Sequence, residues 1–133
     1  MSEENVGMVR RAYADWAQGN MLGGVDLFDR EIVFASFVPD ANERIVVTGA
    51  EKIAAFMHEF LGQWRDYRLF GDEFHDAGDV VFVAGHQTAF GRHSGVSVED
   101  TMCSVWTFRE GRVVRLLFDR DRESALEAAG LSE

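Results

Sequence analysis

The chain has 133 residues, 47% of them hydrophobic, and a formal net charge of −10. Its acidic balance and scattered basic residues exclude the positive surface that nucleic acids and anionic membranes require. The single cysteine, Cys103, excludes an intrachain disulfide and a zinc or iron–sulfur cysteine cluster. No run approaches the ~20 apolar residues of a membrane span. We expect one domain over residues 1–133, located in the cytoplasm.

The first predicted element is an amphipathic helix. Its apolar side chains recur at steps of three and four residues and share one stripe: Val6, Val9, Ala12, Tyr13 and Trp16. Gly19 and Asn20 would end this helix. A short second helix is predicted at Gly24 to Phe28, before an extended run from Ile32 to Val38 and a loop at "PDANER".

A third helix carries the strongest periodic signal. Thr48 followed by Glu51 is typical of a capping box, so this helix is predicted to start at about Gly49. Its apolar side chains follow the spacing of a helix packed on a sheet: Ile53, Phe56, Met57, Phe60, Leu61 and Trp64.

The second half of the chain predicts strands joined by short turns. The extended runs are Tyr67 to His75, Val80 to Phe90, Val96 to Arg109, and Arg112 to Asp119. Turns this short can join only antiparallel neighbours, so we expect a meander. A final short helix is predicted at Arg122 to Ala129, closed by Gly130.

The run "VVFVAG", from Val80 to Gly85, is apolar on both of its alternating faces. A sheet with one wet face alternates apolar and polar residues, so both faces of this strand need cover. If the helices cover only one face, a second copy of the chain would cover the other. We therefore expect a homodimer.

This order of elements resembles the nuclear transport factor 2-like superfamily, and within it the SnoaL-like and ketosteroid-isomerase-related proteins. The local similarities are "AQGNMLGGVDLFDREIVF", "VTGAEKIAAFM" and "SVWTFREGRVVRLLFD". The resemblance implies an α+β fold in which a cone-shaped, curved, mainly antiparallel sheet wraps around three helices from the first half of the chain. A short C-terminal helix would follow. The wide end of the cone would open to a small-molecule pocket.

Ketosteroid isomerases use an aspartate base on the first strand and an oxyanion hole made by a tyrosine on the first helix and a protonated aspartate on the penultimate strand. When the sequence is matched to the family at its Leu-Phe and Gly-Asn landmarks, Ser36 takes the position of the base. Ala12 takes the position of the tyrosine, and Ser104 takes that of the second aspartate. Tyr13 is one residue away, but a one-residue step turns a side chain ~100° around a helix. We therefore do not expect steroid isomerisation.

A different polar pair is the catalytic candidate. If Ser104 faces the pocket, strand alternation places Asp100, Met102, Trp106 and Phe108 on the same face. The resemblance puts Phe82, Ala84, His86 and Thr88 inward as well. His86 and Asp100 would then meet across the hairpin. A histidine oriented by a carboxylate can act as a general base near neutral pH, although a lone histidine is more often structural.

The predicted substrate-binding residues combine an apolar lining with a few polar groups: Trp16, Phe34, Ser36, Met57, Trp64, Ser104, Trp106, Phe118 and Arg120. Arg92 and His93, in a turn between strands, could guard the pocket mouth or simply be solvated.

SnoaL-like cyclases use an acidic residue near the end of the last strand, where this chain has Asp119 and Asp121. Alternation puts Arg120 inward and both aspartates on the opposite face, and Asp121 is placed to cap the final helix. His58, His75 and His86 lack metal-ligand spacing, so we expect no metal, and no cofactor is implied.

Two classes of function follow. The first is a cofactor-independent isomerase, cyclase or hydrolase that acts on a compact apolar carbonyl or cyclic metabolite through His86 and Asp100. The second is a non-catalytic domain that binds a hydrophobic ligand or serves as a dimeric interaction module. An epoxide-hydrolase type of site would need an Asp-Arg-Asp set, of which Asp100 and Arg120 supply two members.

Overall fold

The computed structural model describes residues 2–38 and 43–131. Within them the helices are α1 (Ser2–Ala17), α2 (Ala50–Leu61) and α3 (Arg122–Ala128). The strands are β1 (Phe28–Val38), β2 (Glu43–Thr48), β3 (Trp64–Asp76), β4 (Val80–Gly91), β5 (Ser97–Thr101), β6 (Cys103–Arg109) and β7 (Arg112–Asp119). Of the loop predicted at residues 39–44, the first four lie outside the described residues, and the last two begin β2.

The described strands form one curved, mixed sheet in the order β2-β1-β7-β6-β4-β3, with β5 paired to β4. Among them, β1 and β7 pair in parallel and the other pairs are antiparallel. The predicted run Val96 to Arg109 is divided at Met102, whose N–H donates to the Gly85 carbonyl at 2.9 Å. The structure confirms the α+β class, the meander and the short C-terminal helix.

Both faces of the β4 run from Val81 to Ala84 are covered within one chain. Helices α1 and α2 pack on the face that we call the inner face, and α3 packs on β4, β6 and β7 from the outer face. Val81 and Val83 belong to the inner core, whereas Phe82 and Ala84 pack with Ala125 and Leu126 of α3. All four β4 side chains are at most 7% exposed. The premise that the helices cover only one face was therefore wrong. The homodimer stays a prediction, but the apolar outer face of β4 no longer supports it.

Two helix starts differ from the sequence prediction. Helix α2 begins after Gly49, which has a φ of 97°, and no side chain caps it. Thr48 is instead the last residue of β2, opposite Val33 in the ladder, and Gly49 stands between it and the first residue of α2. Thr48 therefore lies one residue too early to be the N-cap of the predicted capping box. The predicted helix at Gly24 to Phe28 is a single 3₁₀ turn at Val25–Leu27, because Phe28 already belongs to β1.

The start of α3 agrees with the prediction. The Asp121 carboxylate accepts hydrogen bonds from the Ser124 hydroxyl at 2.7 Å and from the Ser124 N–H at 3.4 Å. These bonds to its ionised form lower the pKa of Asp121. Gly130, with a φ of 75°, follows the last turn as predicted. Helix α3 is therefore fixed at both ends while it covers the outer face.

The role of α3 can be tested by truncating Leu126, which is 6% exposed against the outer face. Leu126→Ala should lower the free energy of unfolding by about 2–5 kcal/mol, because it removes buried methyl groups and leaves a cavity. Urea denaturation would measure the loss. Glu127→Ala, on the exposed side of the same helix, is the control and should change stability by less than about 0.5 kcal/mol. Equal stability of the two variants would contradict the covering role of α3.

Candidate functional site

The pairing of β4 with β6 decides which side chains face inward. Val83 lies opposite Ser104, and Val81 lies opposite Trp106. Opposite residues of a ladder share a face, so odd-numbered residues of β4 join even-numbered residues of β6 on the inner face. Trp106 and Phe108 pack there, as predicted, but Phe82 and Ala84 do not. The inward assignment of β4 was wrong by one residue.

This register moves His86 out of the predicted site. Its Nδ1 lies 2.8 Å from Asp72 Oδ2, and its ring stacks on Phe70 with centroids 4.6 Å apart. Within the ladder its partner is Thr101, while Asp100 lies opposite Gln87. The predicted His86–Asp100 pair is therefore not formed, because the two side chains leave the sheet on opposite faces.

A cavity of about 710 Å³ lies between α2, the segment after α1 and the inner face of the sheet. Its wall, which we call the pocket wall, is mostly apolar and aromatic, with six polar or charged side chains. The apolar members are Trp16, Met21, Val25, Phe28, Phe34, Ile45, Ile53, Phe56, Met57, Phe60, Trp64, Tyr67, Leu69, Ala89, Val98, Met102, Leu116 and Phe118. The polar members are Ser36, Glu59, Gln63, Gln87, Asp100 and Arg120.

Most of the predicted substrate-binding residues lie on this wall. They are Trp16, Phe34, Ser36, Met57, Trp64, Phe118 and Arg120, together with the catalytic candidate Asp100. Ser104 and Trp106 face inward but are fully buried away from the wall. Trp16 stacks on Trp106 with ring centroids 5.5 Å apart. It therefore separates Trp106 from the cavity.

Ser104 takes part in a closed hydrogen-bond network in the core. Its hydroxyl lies 2.6 Å from the Tyr13 hydroxyl and accepts a bond of 2.9 Å from the Trp106 indole N–H. Tyr13, one residue after the position that the resemblance gives to the isomerase tyrosine, therefore contacts Ser104, which the resemblance puts at the position of the second aspartate. Ala12 and Tyr13 are both buried, because the apolar stripe of α1 is wide enough to turn successive side chains toward the sheet. These hydroxyls satisfy each other away from the pocket wall.

The polar part of the pocket wall centres on an ion pair. Arg120 Nη1 lies 3.3 Å from Asp100 Oδ2, and Asp100 Oδ1 accepts a bond of 2.9 Å from the Thr101 N–H. Both side chains are partly exposed, at 37% and 39%. Arg120 reaches the wall from the end of β7 and Asp100 from β5. This pair places one carboxylate and one guanidinium beside a mostly apolar chamber.

Gln87 and Tyr67 are site residues that the sequence prediction missed. The Tyr67 hydroxyl donates to Gln87 Oε1, and both side chains lie on the pocket wall. Strand alternation in β4 could have predicted that Gln87 faces the pocket, but the even-numbered residues of this strand were assigned inward instead of the odd-numbered ones. Tyr67 follows Asp66, which has a positive φ of 56° beside a bulge of β3, so simple alternation could not place it.

The acidic residues at the end of β7 lie where alternation predicted. Arg120 faces the cavity with Phe118, whereas Asp119 is buried off the pocket wall and accepts a bond of 2.9 Å from the Asp121 N–H. Asp121 caps α3. Neither aspartate reaches the cavity.

Arg92 fastens the β4–β5 turn to the end of α2. Its Nε donates to the Gly62 carbonyl at 3.0 Å, and its backbone N–H donates to the Gln63 carbonyl at 3.0 Å. Gln63 and Trp64 lie on the pocket wall next to this contact. Arg92 therefore braces one side of the pocket mouth, while His93 is exposed.

In the described part of the chain, no group of three or more His, Cys, Asp or Glu side chains is arranged to hold a metal ion. No helix over the same residues is long and apolar enough to cross a membrane.

Comparison with known families agrees with this geometry. Residues 9–116 match the SnoaL-like domain. The chain belongs to the SnoaL-like family. This confirms the resemblance seen in the sequence, and the same cone-shaped fold is found in solved structures. A comparison with curated proteins finds no match.

Three solved structures illustrate the likeness. A nuclear transport factor 2-like protein from Burkholderia thailandensis is 23% identical, with 96% and 97% of the two chains covered and a TM-score of 0.75. A protein from Catenulispora acidiphila with a ketosteroid isomerase-like fold, in complex with trimethylamine, is 16% identical over 94% and 93%, with a TM-score of 0.73. TerC, co-crystallised with polyporic acid, is 18% identical over 95% and 98%, with a TM-score of 0.73. At these identities the likeness shows the fold.

The tyrosines provide a test of the site that depends on pH. Tyr13 and Tyr67 are the chain's two tyrosines, and burial raises the pKa of both phenols above the unfolded value of about 10. The stability they contribute is present below pH ~10 and is lost as the pH rises further, because only the unfolded chain ionises there. Tyrosinate absorbance should therefore appear together with unfolding.

Absorbance at alkaline pH and circular dichroism would be followed on the same sample. The urea-unfolded chain, as control, should titrate near pH ~10. Tyrosinate that forms near this pH while the circular dichroism stays native would show that a phenol is open to solvent.

Proposed function

We propose that this protein binds a compact, mainly apolar small molecule in its cone and holds a carbonyl-type oxygen of that molecule at the Asp100–Arg120 pair. The observation that carries this proposal is the Asp100–Arg120 ion pair on a mostly aromatic and aliphatic wall. An apolar chamber with a few convergent polar groups is the usual form of a small-molecule site.

The size and lining of the cavity favour a cyclic ligand. A volume of about 710 Å³ falls in the range of about 300–1,000 Å³ that is typical of metabolite and drug-sized ligands. Aromatic rings line several sides, and Phe34 packs against both Phe56 and Phe118 with centroids 5.8 Å apart. Flat rings can pack against such walls, because aromatic pairs favour offset and edge-to-face contacts.

The polar pair supports cofactor-independent acid–base chemistry. Asp100 would take a proton from a carbon next to the ligand carbonyl, the electrons of that C–H bond would form a C=C bond, and the carbonyl π electrons would move to oxygen. The Arg120 guanidinium would stabilise the resulting oxyanion. Return of the proton to another carbon completes an isomerisation. In a cyclisation the enolate carbon attacks a second carbonyl to form a C–C bond, and the alkoxide that results takes the proton from Asp100.

The family supports a small-molecule function in general terms. The SnoaL-like match covers residues 9–116, and the similar structures include one in complex with trimethylamine and one co-crystallised with polyporic acid. These ligands belong to those proteins. What they support here is that a protein with this fold can bind a small molecule.

A second candidate function is non-catalytic binding of a hydrophobic ligand. It is favoured by the positions of His86 and Ser104, which were predicted to take part in chemistry but lie off the pocket wall. An epoxide-hydrolase type of site is less well supported. Among the described carboxylates, only Glu59 joins Asp100 on the wall.

We keep the cytoplasm as the proposed compartment and a homodimer as the proposed assembly. The free thiol of Cys103 is buried between the sheet and α3. A reducing compartment suits a chain that has this thiol and no disulfide.

Binding is tested with two ligands of the same tricyclic shape, fluorenone and fluorene, which differ in one carbonyl oxygen. Trp16 and Trp64 lie on the pocket wall, so tryptophan fluorescence reports occupancy. Arg120→Leu should reduce the preference for fluorenone over fluorene by about tenfold, because it removes a charged hydrogen-bond donor. Arg115→Leu, exposed on β7, the strand that Arg120 directly follows, is the control and should keep the preference. An unchanged ratio in Arg120→Leu would contradict the proposed carbonyl site.

Catalysis is tested with β-tetralone in D₂O, since its C–H bonds next to the carbonyl exchange through an enolate. We expect the protein to accelerate deuterium uptake, measured by mass spectrometry, and Asp100→Asn to reduce the acceleration by about 100-fold or more. Glu99→Gln, exposed on the same strand, should retain it. If the native protein binds fluorenone but gives no acceleration, the binding function replaces the enzymatic one.

A further inference from the structure

Gln87 occupies a special position beside the proposed site. It lies opposite Asp100 in the β4–β5 ladder and opposite Leu69 in the β3–β4 ladder. Directly opposite side chains emerge about 4.5–5.5 Å apart on the same face of a sheet. Gln87 and Asp100 therefore leave the backbone side by side, and both reach the pocket wall.

The amide of Gln87 has a defined orientation. Its Oε1 accepts the hydrogen bond from the Tyr67 hydroxyl, and among the described residues its Nε2 makes no hydrogen bond. An amide carries its oxygen and its nitrogen on opposite sides of one carbon, so a bond that holds the oxygen turns the two N–H donors away from Tyr67. Burial raises the pKa of Tyr67, so the phenol keeps the proton that it donates.

We propose that Gln87 contacts the ligand through its Nε2 donors and that Tyr67 is the positioning residue that fixes this orientation. This inference rests on the proposed small-molecule function of the same cavity. Gln87 then selects an acceptor oxygen, such as that of a ketone, a quinone or a cyclic ester. A ligand that presents only an N–H donor at this point would meet a second donor and be disfavoured.

In this proposal two side chains that donate hydrogen bonds and one that accepts them lie together at one end of the chamber, and this set restricts the class of ligand. Arg120 and Gln87 supply donors, and the carboxylate of Asp100 supplies the acceptor. A carbonyl whose neighbouring carbon carries a hydrogen matches this set, with the oxygen near Gln87 and Arg120 and the C–H near Asp100. The substrate class inferred is therefore a cyclic ketone that can form an enolate.

Three ligands of one skeleton test the orientation of the amide. Fluorenone offers an acceptor oxygen, carbazole offers an N–H donor, and fluorene offers neither. In Tyr67→Phe the amide can turn over. Relative to fluorene, fluorenone binding should then weaken and carbazole binding should strengthen, each by about threefold. Gln87→Glu places acceptor oxygens at the same point and should shift both ratios in the same directions by about threefold to tenfold.

Tyr13→Phe is the matched control, because Tyr13 bonds to Ser104 off the pocket wall. A loss of general packing would change the affinity for all three ligands alike, whereas reorientation of the amide moves fluorenone and carbazole in opposite directions. Parallel changes in Tyr67→Phe and Gln87→Glu would overturn the inference. If those variants change the affinities for all three ligands in parallel, but Arg120→Leu still alters the preference for fluorenone, the proposed function stands and only the inference about the Gln87 amide is lost. Failure of all three ligands to bind the native protein would overturn both.

Discussion

The register between β4 and its antiparallel neighbours is the constraint on which the site depends. With Val83 opposite Ser104 and Gln87 opposite Asp100, the inner face receives valines in the core and a glutamine at the pocket. A shift by one residue would exchange every side chain of β4 between the two faces. It would bring Phe82 and His86 into the cone and expel Val83 and Gln87. The chemistry available to the cavity is therefore set by backbone pairing before any side chain interacts with a ligand.

That register is stable because each face has its own cover. The inner face packs against α1 and α2, and the outer face packs against α3, whose Ala125 and Leu126 meet Phe82 and Ala84. Both sets of β4 side chains are apolar, so the hydrophobic pattern alone distinguishes the faces weakly. Phe82 packs with Ala125 and Leu126 on the outer side, and Val81 and Val83 lie opposite Trp106 and Ser104 of the Tyr13–Ser104–Trp106 network on the inner side. Packing volume and hydrogen bonding therefore determine which face of β4 turns inward, because hydrophobicity alone does not distinguish the two faces.

The fold was predictable from the sequence, whereas the site was predictable only in part. Periodic apolar residues and short turns located the helices and the meander. Trp16 reached the wall as part of the predicted apolar stripe of α1, and Arg120 reached it because the alternation of β7 was read in the correct phase. His86 was misplaced because odd-numbered residues of β4 share the inner face with even-numbered residues of β6. The local sequence pattern of either strand does not reveal this pairing. Tyr67 escaped prediction because a bulge lies between Arg65 and Arg68. Long-range pairing, rather than local propensity, carries this information.

The irregularity in the middle of β3 has a further consequence. Gly71 pairs with Gly85 and Glu73 pairs with Ala84, so β3 has one residue more than the facing stretch of β4. Before Asp72 the odd-numbered Leu69 faces inward, and after it the even-numbered Phe74 does. The two ends of one strand thus serve separate tasks, one in ligand recognition and one in holding α1. Deleting Asp72 would leave Gly71 opposite Gly85 and Glu73 opposite Ala84 as consecutive pairs of the ladder, with Phe74 still opposite Val83 on the inner face. The extra residue is therefore not what turns Phe74 toward the core, and what it adds is the carboxylate that meets His86.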